Sequence, residues 1–415
     1  MSMSRRWLIF IVTSSNFFLS QFYRVSNAVI AQDLLRDLSI DTKGLGLISA
    51  AFFYAFAITQ IPISIFLDRL GPRRMITALS LVGIAGALVF AGAESLYAGI
   101  AGRVLLGIGM ACHLMGTLKL LTTWFEPLRF ATLTGVVFSI GTMGNMAATT
   151  PFVLMVQLMG WRWSLCLIAG INLIITVIIF IVVRDRPQHE NASSDMQGSG
   201  EGPDRSLSNL KSIVKRKDFW IISLGTFVSY GVFSSMQGLW AGPYLIEVMG
   251  LSALSAGNII FLMNMGMILG GPAWGLLSDR IFSRRKTSIF LGLVVLSVIM
   301  LCLALLPLGV SLIILASLFL SLGFFRASGL LMYTHIKELA PPEMSGTAMT
   351  GINFFTMMGS AVFLHGLGVF MQHFYPEASR GPDAFCGAFI LCAVCLACAS
   401  ILYFYTGDNR HKKEN

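Results

Sequence analysis

The sequence predicts an all-α membrane protein with twelve transmembrane helices in two pseudo-symmetric six-helix bundles, and three observations carry the prediction. Of its 415 residues, 55% are hydrophobic and only 12% charged, too apolar for a soluble domain of ordinary composition. Apolar runs of about 20 residues, the length that crosses a bilayer as a helix, recur from end to end. One long polar interruption halves the series. The expected division is 1–183 as an N-terminal bundle, 184–218 as a cytoplasmic linker and 219–415 as a C-terminal bundle.

The twelve runs lie near 7–30, 44–67, 75–93, 97–122, 130–156, 163–183, 219–241, 256–277, 287–307, 310–336, 346–371 and 384–405. They lack the alternation of barrel strands, so helices are implied. The first run is too long for a signal-peptide core and no small-residue cleavage site follows it, so it reads as retained. The net charge of +9 follows the positive-inside rule and does not imply nucleic-acid binding. With a cytoplasmic N-terminus, the inner loops collect Arg5, Arg6, Arg69, Arg73, Arg74, Arg129, the linker bases, Arg284, Arg285 and Lys286, against Arg36, Lys43, Arg162 and Arg380 outside. Both termini are then cytoplasmic, and a bacterial inner membrane is the expected location. The linker combines Pro187, Gly198, Gly200, Gly202 and Pro203 with Lys211, Lys215, Arg216 and Lys217, a composition that suits a flexible tether against an anionic leaflet. The seven cysteines fall in or beside apolar runs and read as small packing residues; Cys392, Cys395 and Cys398 share a helix face with no histidine or carboxylate nearby to complete a metal site.

The halves repeat weakly. After the second run comes Asp68-Arg69-Leu70-Gly71-Pro72-Arg73-Arg74, and after the eighth Asp279-Arg280, then Arg284-Arg285 at the same spacing. This twice-placed loop resembles the signature of the major facilitator superfamily. Arg103-x-x-x-Gly107-x-Gly109 in the fourth run resembles that family's arginine-glycine pattern. The resemblance implies alternating access between two bundles, with an inner gate formed by Asp68, Arg69, Arg73, Arg74, Arg103, Asp279, Arg280 and Arg284. Two departures stand out: Ser64 begins the loop where the family has glycine, and the fifth run lacks the Gly-Pro pair of many exporters.

No ATP-binding loop, metalloprotease motif or nucleophile elbow is present, so an enzyme is not expected, nor a cofactor or metal. In this fold the substrate lies near the bilayer midplane between the halves, and the residues that matter are polar ones deep in the runs. Arg24 interrupts the first run and Arg326 the tenth; a guanidinium there costs at least ~2.5–3.5 kcal/mol on insertion scales. Two readings of Arg24 stand: a residue snorkelling toward headgroups, or an anion site facing a water-filled cavity. A gapless alignment of the fourth run on the tenth matches Gly107 to Gly323, Thr134-Gly135 to Thr350-Gly351, and Met110 to Arg326. The organic anion:cation symporter branch of the family carries a proton-binding glutamate after its arginine-glycine motif; Met110 stands there, so that mechanism is not carried over. Arg24 also resembles the first-helix arginine of the organophosphate branch, whose second arginine would fall in the seventh run, which instead reads Ser234-Ser235-Met236-Gln237.

All twenty acidic residues fall in loops or at run ends, which leaves the interior net positive and favours an anionic ligand. Arg24 and Arg326 could clamp a carboxylate with planar donor forks, lined by Asn27, Tyr54, Asn145, Gln237, Trp240, Asn264, Tyr333 and Asn353. Trp240 and Tyr244 also fit interfacial anchors or an outer gate. Coupling candidates are Asp33 just beyond the first helix, Glu247 just beyond the seventh, and the in-run His113. The expectation is a proton-coupled symporter of a small organic anion or zwitterion, such as a carboxylate or amino acid, working as a monomer in the lipid bilayer. An exporter of larger metabolites and a non-transporting ligand sensor are the alternatives.

Overall fold

The computed structural model describes residues 3–185, 212–278, 282, 284–341 and 345–407, and all their regular elements are helical. In order these are α1 Met3–Val25, α2 Asn27–Asp37, α3 Thr42–Leu70, α4 Pro72–Ala91, α5 Leu96–Met110, α6 His113–Trp124, α7 Pro127–Ala147 and α8 Thr150–Val182. Next come α9 Lys217–Ser235, which runs into π-type turns at Met236–Trp240 and Tyr244–Val248, then α10 Ala253–Leu276, α11 Arg285–Ala304 and α12 Leu312–Arg326. A 3₁₀ turn, Ala327–Leu330, leads into α13 Leu331–Leu339, and α14 Ser345–Phe374 and α15 Pro382–Tyr403 complete the chain. Among the described residues, ten helical stretches are long and apolar enough to cross a membrane. The first and fifth predicted runs, α1 and α7, are also helical but fall outside that set.

The chain divides into two compact units: Met1–Ser26 with Ala51–Pro203, and Asn27–Ala50 with Asp204–Asn415. It leaves the first unit at Ser26, gives α2 and the start of α3 to the second, and returns at Ala51. Within the first unit α1 packs on α7, and α4 on α5 and α8. Within the second, α9 packs on α14, α10 on α12, and α11 on α15.

The weak sequence repeat is a packing repeat. A Cβ on Gly107 of α5 would collide with the carbonyl of Phe52 on α3; its aligned partner, Gly323 of α12, meets the carbonyl of Met263 on α10 in the same way. Likewise Gly144 of α7 abuts the Phe18 carbonyl of α1, and Gly359 of α14 the Phe227 carbonyl of α9. Small residues let membrane helices approach to backbone contact, where dispersion replaces the absent hydrophobic drive.

Several predicted runs are interrupted. The first breaks at Ser26, so Asp33 lies inside α2 and not beyond the helix end. The fourth breaks between Met110 and His113, and the tenth directly after Arg326, the residue aligned with Met110. In α8 the helical path is broken at Gly160, whose φ of 77° only glycine adopts readily, so the fifth run ends and the sixth begins within one stretch. Trp240 and Tyr244 are corrected as interfacial anchors: they are 1% and 2% exposed, and their polar atoms donate to the Leu364 and Leu303 carbonyls at 3.2 Å each.

Replacing Gly323 with Val should lower stability by about 1–3 kcal/mol, because the added carbon forces α12 off α10. Gly366→Ala, in α14 with open space around it, should instead stabilise by up to about 1 kcal/mol through helix propensity. Thermal unfolding of the detergent-solubilised protein would compare them; equal loss in both would show that the close approach is unimportant.

Candidate functional site

Of the polar residues singled out from the sequence, Arg24, Asn27, His113, Gln237 and Arg326 stand at helix interruptions, whereas Tyr54, Asn264 and Asn353 lie within helices. In the first unit, the last turn of α1 carries Arg24, 6% exposed. Its guanidinium carbon lies 4.9 Å from the ring centre of Phe56 and 5.8 Å from that of Phe53. The neighbouring Arg103 of α5 sits 4.9 Å over Phe52 and 5.7 Å from Phe90, and its Nη1 donates to the Tyr23 carbonyl at 2.7 Å. Phe52 stacks on Phe56 at 5.9 Å, so one aromatic block on α3 receives two guanidiniums. Arg24 is thus held inside its unit, and the snorkelling reading does not describe it. Arg103, expected at the gate, instead fastens the last turn of α1.

His113 opens α6 at the break in the fourth run. Its Nδ1 lies 3.0 Å from the Met110 carbonyl, and its Nε2 lies 3.0 Å from Ser80 Oγ, which also accepts from Asn16 Nδ2 at 2.9 Å. A carbonyl only accepts, so Nδ1 carries the hydrogen and Nε2 receives that of Ser80. Asn145 of α7 is 9% exposed, and its Oδ1 has no hydrogen-bond partner among the described residues. Tyr54 on α3 is half-buried.

In the second unit, Asn27 donates from Nδ2 to Ser49 Oγ at 3.0 Å. Gln237, in the first π turn, donates from Nε2 to Asn264 Oδ1 at 2.6 Å, and Asn264 Nδ2 donates to the Ile260 carbonyl. π turns recur at functional sites because they unseat one residue from the helical ladder. The Tyr333 hydroxyl lies 3.0 Å from Asn353 Oδ1 and 3.1 Å from Thr356 Oγ1. Arg326, 3% exposed, closes α12 with its guanidinium carbon 5.0 Å from the Tyr230 ring centre and 5.9 Å from that of Phe233. Its Nε and Nη1 have no hydrogen-bond partner among the described residues. Asp33 pairs with Arg36 at 3.1 Å, and burial pushes its carboxyl up against the pull of Arg36, with Asp37 adding to the rise. Glu247 pairs with Arg380 at 2.6 Å.

At the predicted gate, the Arg73 guanidinium donates to the Phe180 carbonyl near the end of α8, at 2.9 Å from Nε and 2.6 Å from Nη2, and its backbone N–H donates to Asp185 at 2.8 Å. Each charge thereby meets the helix terminus of opposite polarity. Arg69, Arg74 and Arg284 are exposed. Asp279 and Arg280 lie outside the described residues, as does the side chain of Asp68. Asp185 had not been singled out because it sits in the polar stretch read as linker. The Tyr23 carbonyl, as a backbone atom, leaves no mark in a sequence. Phe52, Phe53 and Phe56 flank Tyr54 in the sequence, but nothing there sets them apart from the other aromatic residues of the apolar runs.

The family model of the Major Facilitator Superfamily matches residues 9–364. The chain belongs to this superfamily. It is accordingly a multi-pass membrane transporter and not an enzyme. Among its relatives are a probable sulfoacetate transporter of Cupriavidus necator, 27% identical across 69% of this chain and 70% of that one. A probable galactarate/D-glucarate transporter of Escherichia coli K12 is 26% identical across 85% and 84%, and a Bacillus subtilis hexuronate transporter 26% across 66% and 65%. A solved bacterial homologue of the human lysosomal transporter Spinster shares the superfamily fold, with a TM-score of 0.77 at 18% identity over 97% of each chain.

Arg103→Met keeps much of the buried volume but removes the shorter of the two hydrogen bonds to the Tyr23 carbonyl, leaving that from Ser26 Oγ at 3.3 Å, and should cost about 1–3 kcal/mol of stability. Unfolding monitored by tryptophan fluorescence would measure it. An unchanged midpoint would mean that this hydrogen bond does not fasten α1.

Proposed function

We propose that the chain is a secondary transporter that carries a small organic acid anion with protons. The observation that carries this reading is Arg326, a cation buried in its unit with two N–H groups lacking hydrogen-bond partners among the described residues. Arg24 supplies a second buried cation in the other unit. Arg326 forms no ion pair with a carboxylate among the described residues. A buried cation without such a counter-charge favours an anion as ligand. Sulfoacetate, galactarate, glucarate and hexuronates, named for the relatives, are all organic acids. In this reading α1 and α7 complete twelve spans, both termini are cytoplasmic in a bacterial inner membrane, and the monomer is the working unit.

Proton symport follows from the charge of the cargo. Each negative charge brought into a cell that is negative inside is opposed by about 2.3 kcal/mol per 100 mV. Protons carried in the same cycle cancel that opposition. Asp33 and Glu247, each beside an arginine, are the carboxylates placed to accept them, with His113 as the buried alternative.

Uptake of labelled organic acids into proteoliposomes tests the reading. Arg24→Gln and Arg326→Gln should each reduce uptake about tenfold or more, the effect of losing a charge-assisted hydrogen bond. Normal uptake by either variant would remove that arginine from the substrate site. Uptake unaffected by a protonophore and by an imposed pH gradient would rule against proton coupling.

A further inference from the structure

Arg326 stands where α12 gives way to the 3₁₀ turn Ala327–Leu330. Three residues on, Gly329 has no side chain, and the space its Cβ would take is filled by Arg326 Nη1. The same vacant position lies 3.3 Å from Ser229 Oγ on α9. Ser229 is 1% exposed, and its hydroxyl has no hydrogen-bond partner among the described residues. One turn of chain thus brings together a guanidinium with two unmatched donors, a buried unmatched hydroxyl and a bare backbone. Tyr230, adjacent to Ser229, lies under the guanidinium.

A buried polar group left unmatched costs free energy, and three such atoms at one spot are most simply explained by a group that arrives to match them. Arginine N–H groups only donate. A hydroxyl can donate as well, so the missing group is an acceptor carrying negative charge. A carboxylate or sulfonate oxygen meets that requirement, whereas an ammonium group does not.

We infer that Arg326, Ser229 and Gly329 form the second unit's anion subsite. Arg326 and Ser229 receive one carboxylate or sulfonate oxygen of the transported acid, and Gly329 acts as the positioning residue that lets the guanidinium lie there. The inference rests on the proposed function and adds two residues to it. Gly329 is decisive because its neighbour is the far end of a flexible side chain. An alanine methyl can be accommodated by moving the guanidinium, with the helices undisturbed. Gly329 has no positive φ, so alanine also suits the local backbone and restricts the unfolded chain.

The test uses the full-length protein in proteoliposomes, with labelled sulfoacetate, D-glucarate, tartrate and a hexuronate as probes, and kinetics on the acid taken up fastest. Gly329→Ala should raise KM about tenfold or more, the loss of one charge-assisted hydrogen bond, with an unchanged or higher thermal midpoint. Ser229→Ala should raise KM in the same direction but by less, and Ser229→Thr, which keeps the hydroxyl, should restore much of the loss. A lower midpoint for Gly329→Ala with normal KM would mean that the glycine serves helix packing alone, and would overturn the inference. Normal KM in both Gly329→Ala and Ser229→Ala, with uptake lost in Arg326→Gln, would overturn this subsite but leave the proposed function standing. Full uptake by Arg326→Gln, or no uptake of any probe by the unaltered protein, would overturn the proposed function itself.

Discussion

The hydrogen bond from Arg103 to the Tyr23 carbonyl is the contact on which the first unit's candidate site depends. A guanidinium at the centre of a lipid-embedded helix costs at least ~2.5–3.5 kcal/mol on insertion scales. Arg103 meets a carbonyl at 2.7 Å and the faces of Phe52 and Phe90. A charge-assisted hydrogen bond contributes about 1.5–3 kcal/mol, and each ring about 0.5–1 kcal/mol or more when desolvated, so the terms balance. The Tyr23 carbonyl lies in the last turn of α1, where the chain breaks at Ser26. As a carbonyl of a helix end it lacks a full intrahelical partner, and besides Arg103 it accepts only the longer bond from Ser26 Oγ at 3.3 Å among the described residues. Arg103 therefore stabilises the break, and the break places Arg24 against Phe53 and Phe56.

The two units use one packing scheme for unlike chemistry. Gly107 and Gly323 seat α5 and α12 on facing backbone in the same way, and both helices stop at the aligned residues Met110 and Arg326. The backbone contact is common to both helices, and the side chain at the stop differs. In the first unit that position is a thioether and the charge comes from Arg24 on another helix. In the second it is the charge itself. An internal repeat thus keeps a scaffold constant while its halves diverge at the residue where the helix stops.

Much of this was legible in the sequence, because spans and repeats are written in hydropathy and glycine spacing. Ten of the twelve runs are long apolar helical stretches, and Arg24 and Arg326 are buried as their positions in apolar runs implied. The interruptions were not legible: Ser26, Ala111–Cys112 and Ala327–Leu330 contain no proline, and each break is sustained by tertiary partners. Nor was the second unit's claim on Asn27–Ala50, since membership depends on contacts far along the chain. Arg103 was read from its motif as a gate residue, but its partner is a backbone oxygen. Gly329 was overlooked for a related reason, because a glycine that makes room for a side chain resembles any other helix glycine until the side chain is seen.

Where a coupling proton would reside follows from the same kind of reasoning. His113 is surrounded by groups that fix its neutral tautomer: the Met110 carbonyl takes its Nδ1 hydrogen, and Ser80, already accepting from Asn16, turns its own hydrogen to Nε2. Adding a proton at Nε2 would oppose two hydrogens across that 3.0 Å contact and oblige the Ser80 hydroxyl to find another acceptor. The arrangement is better suited to holding the break between α5 and α6 than to repeated protonation. Asp33 and Glu247 have the opposite character. Each is partly exposed and paired with an arginine, so water can deliver a proton; protonation of Glu247 would release Arg380, whereas Arg36 would keep its second carboxylate, Asp37, at 2.9 Å. A carboxylate whose partner is freed on protonation couples a proton to a conformational step directly, which the enclosed imidazole does not.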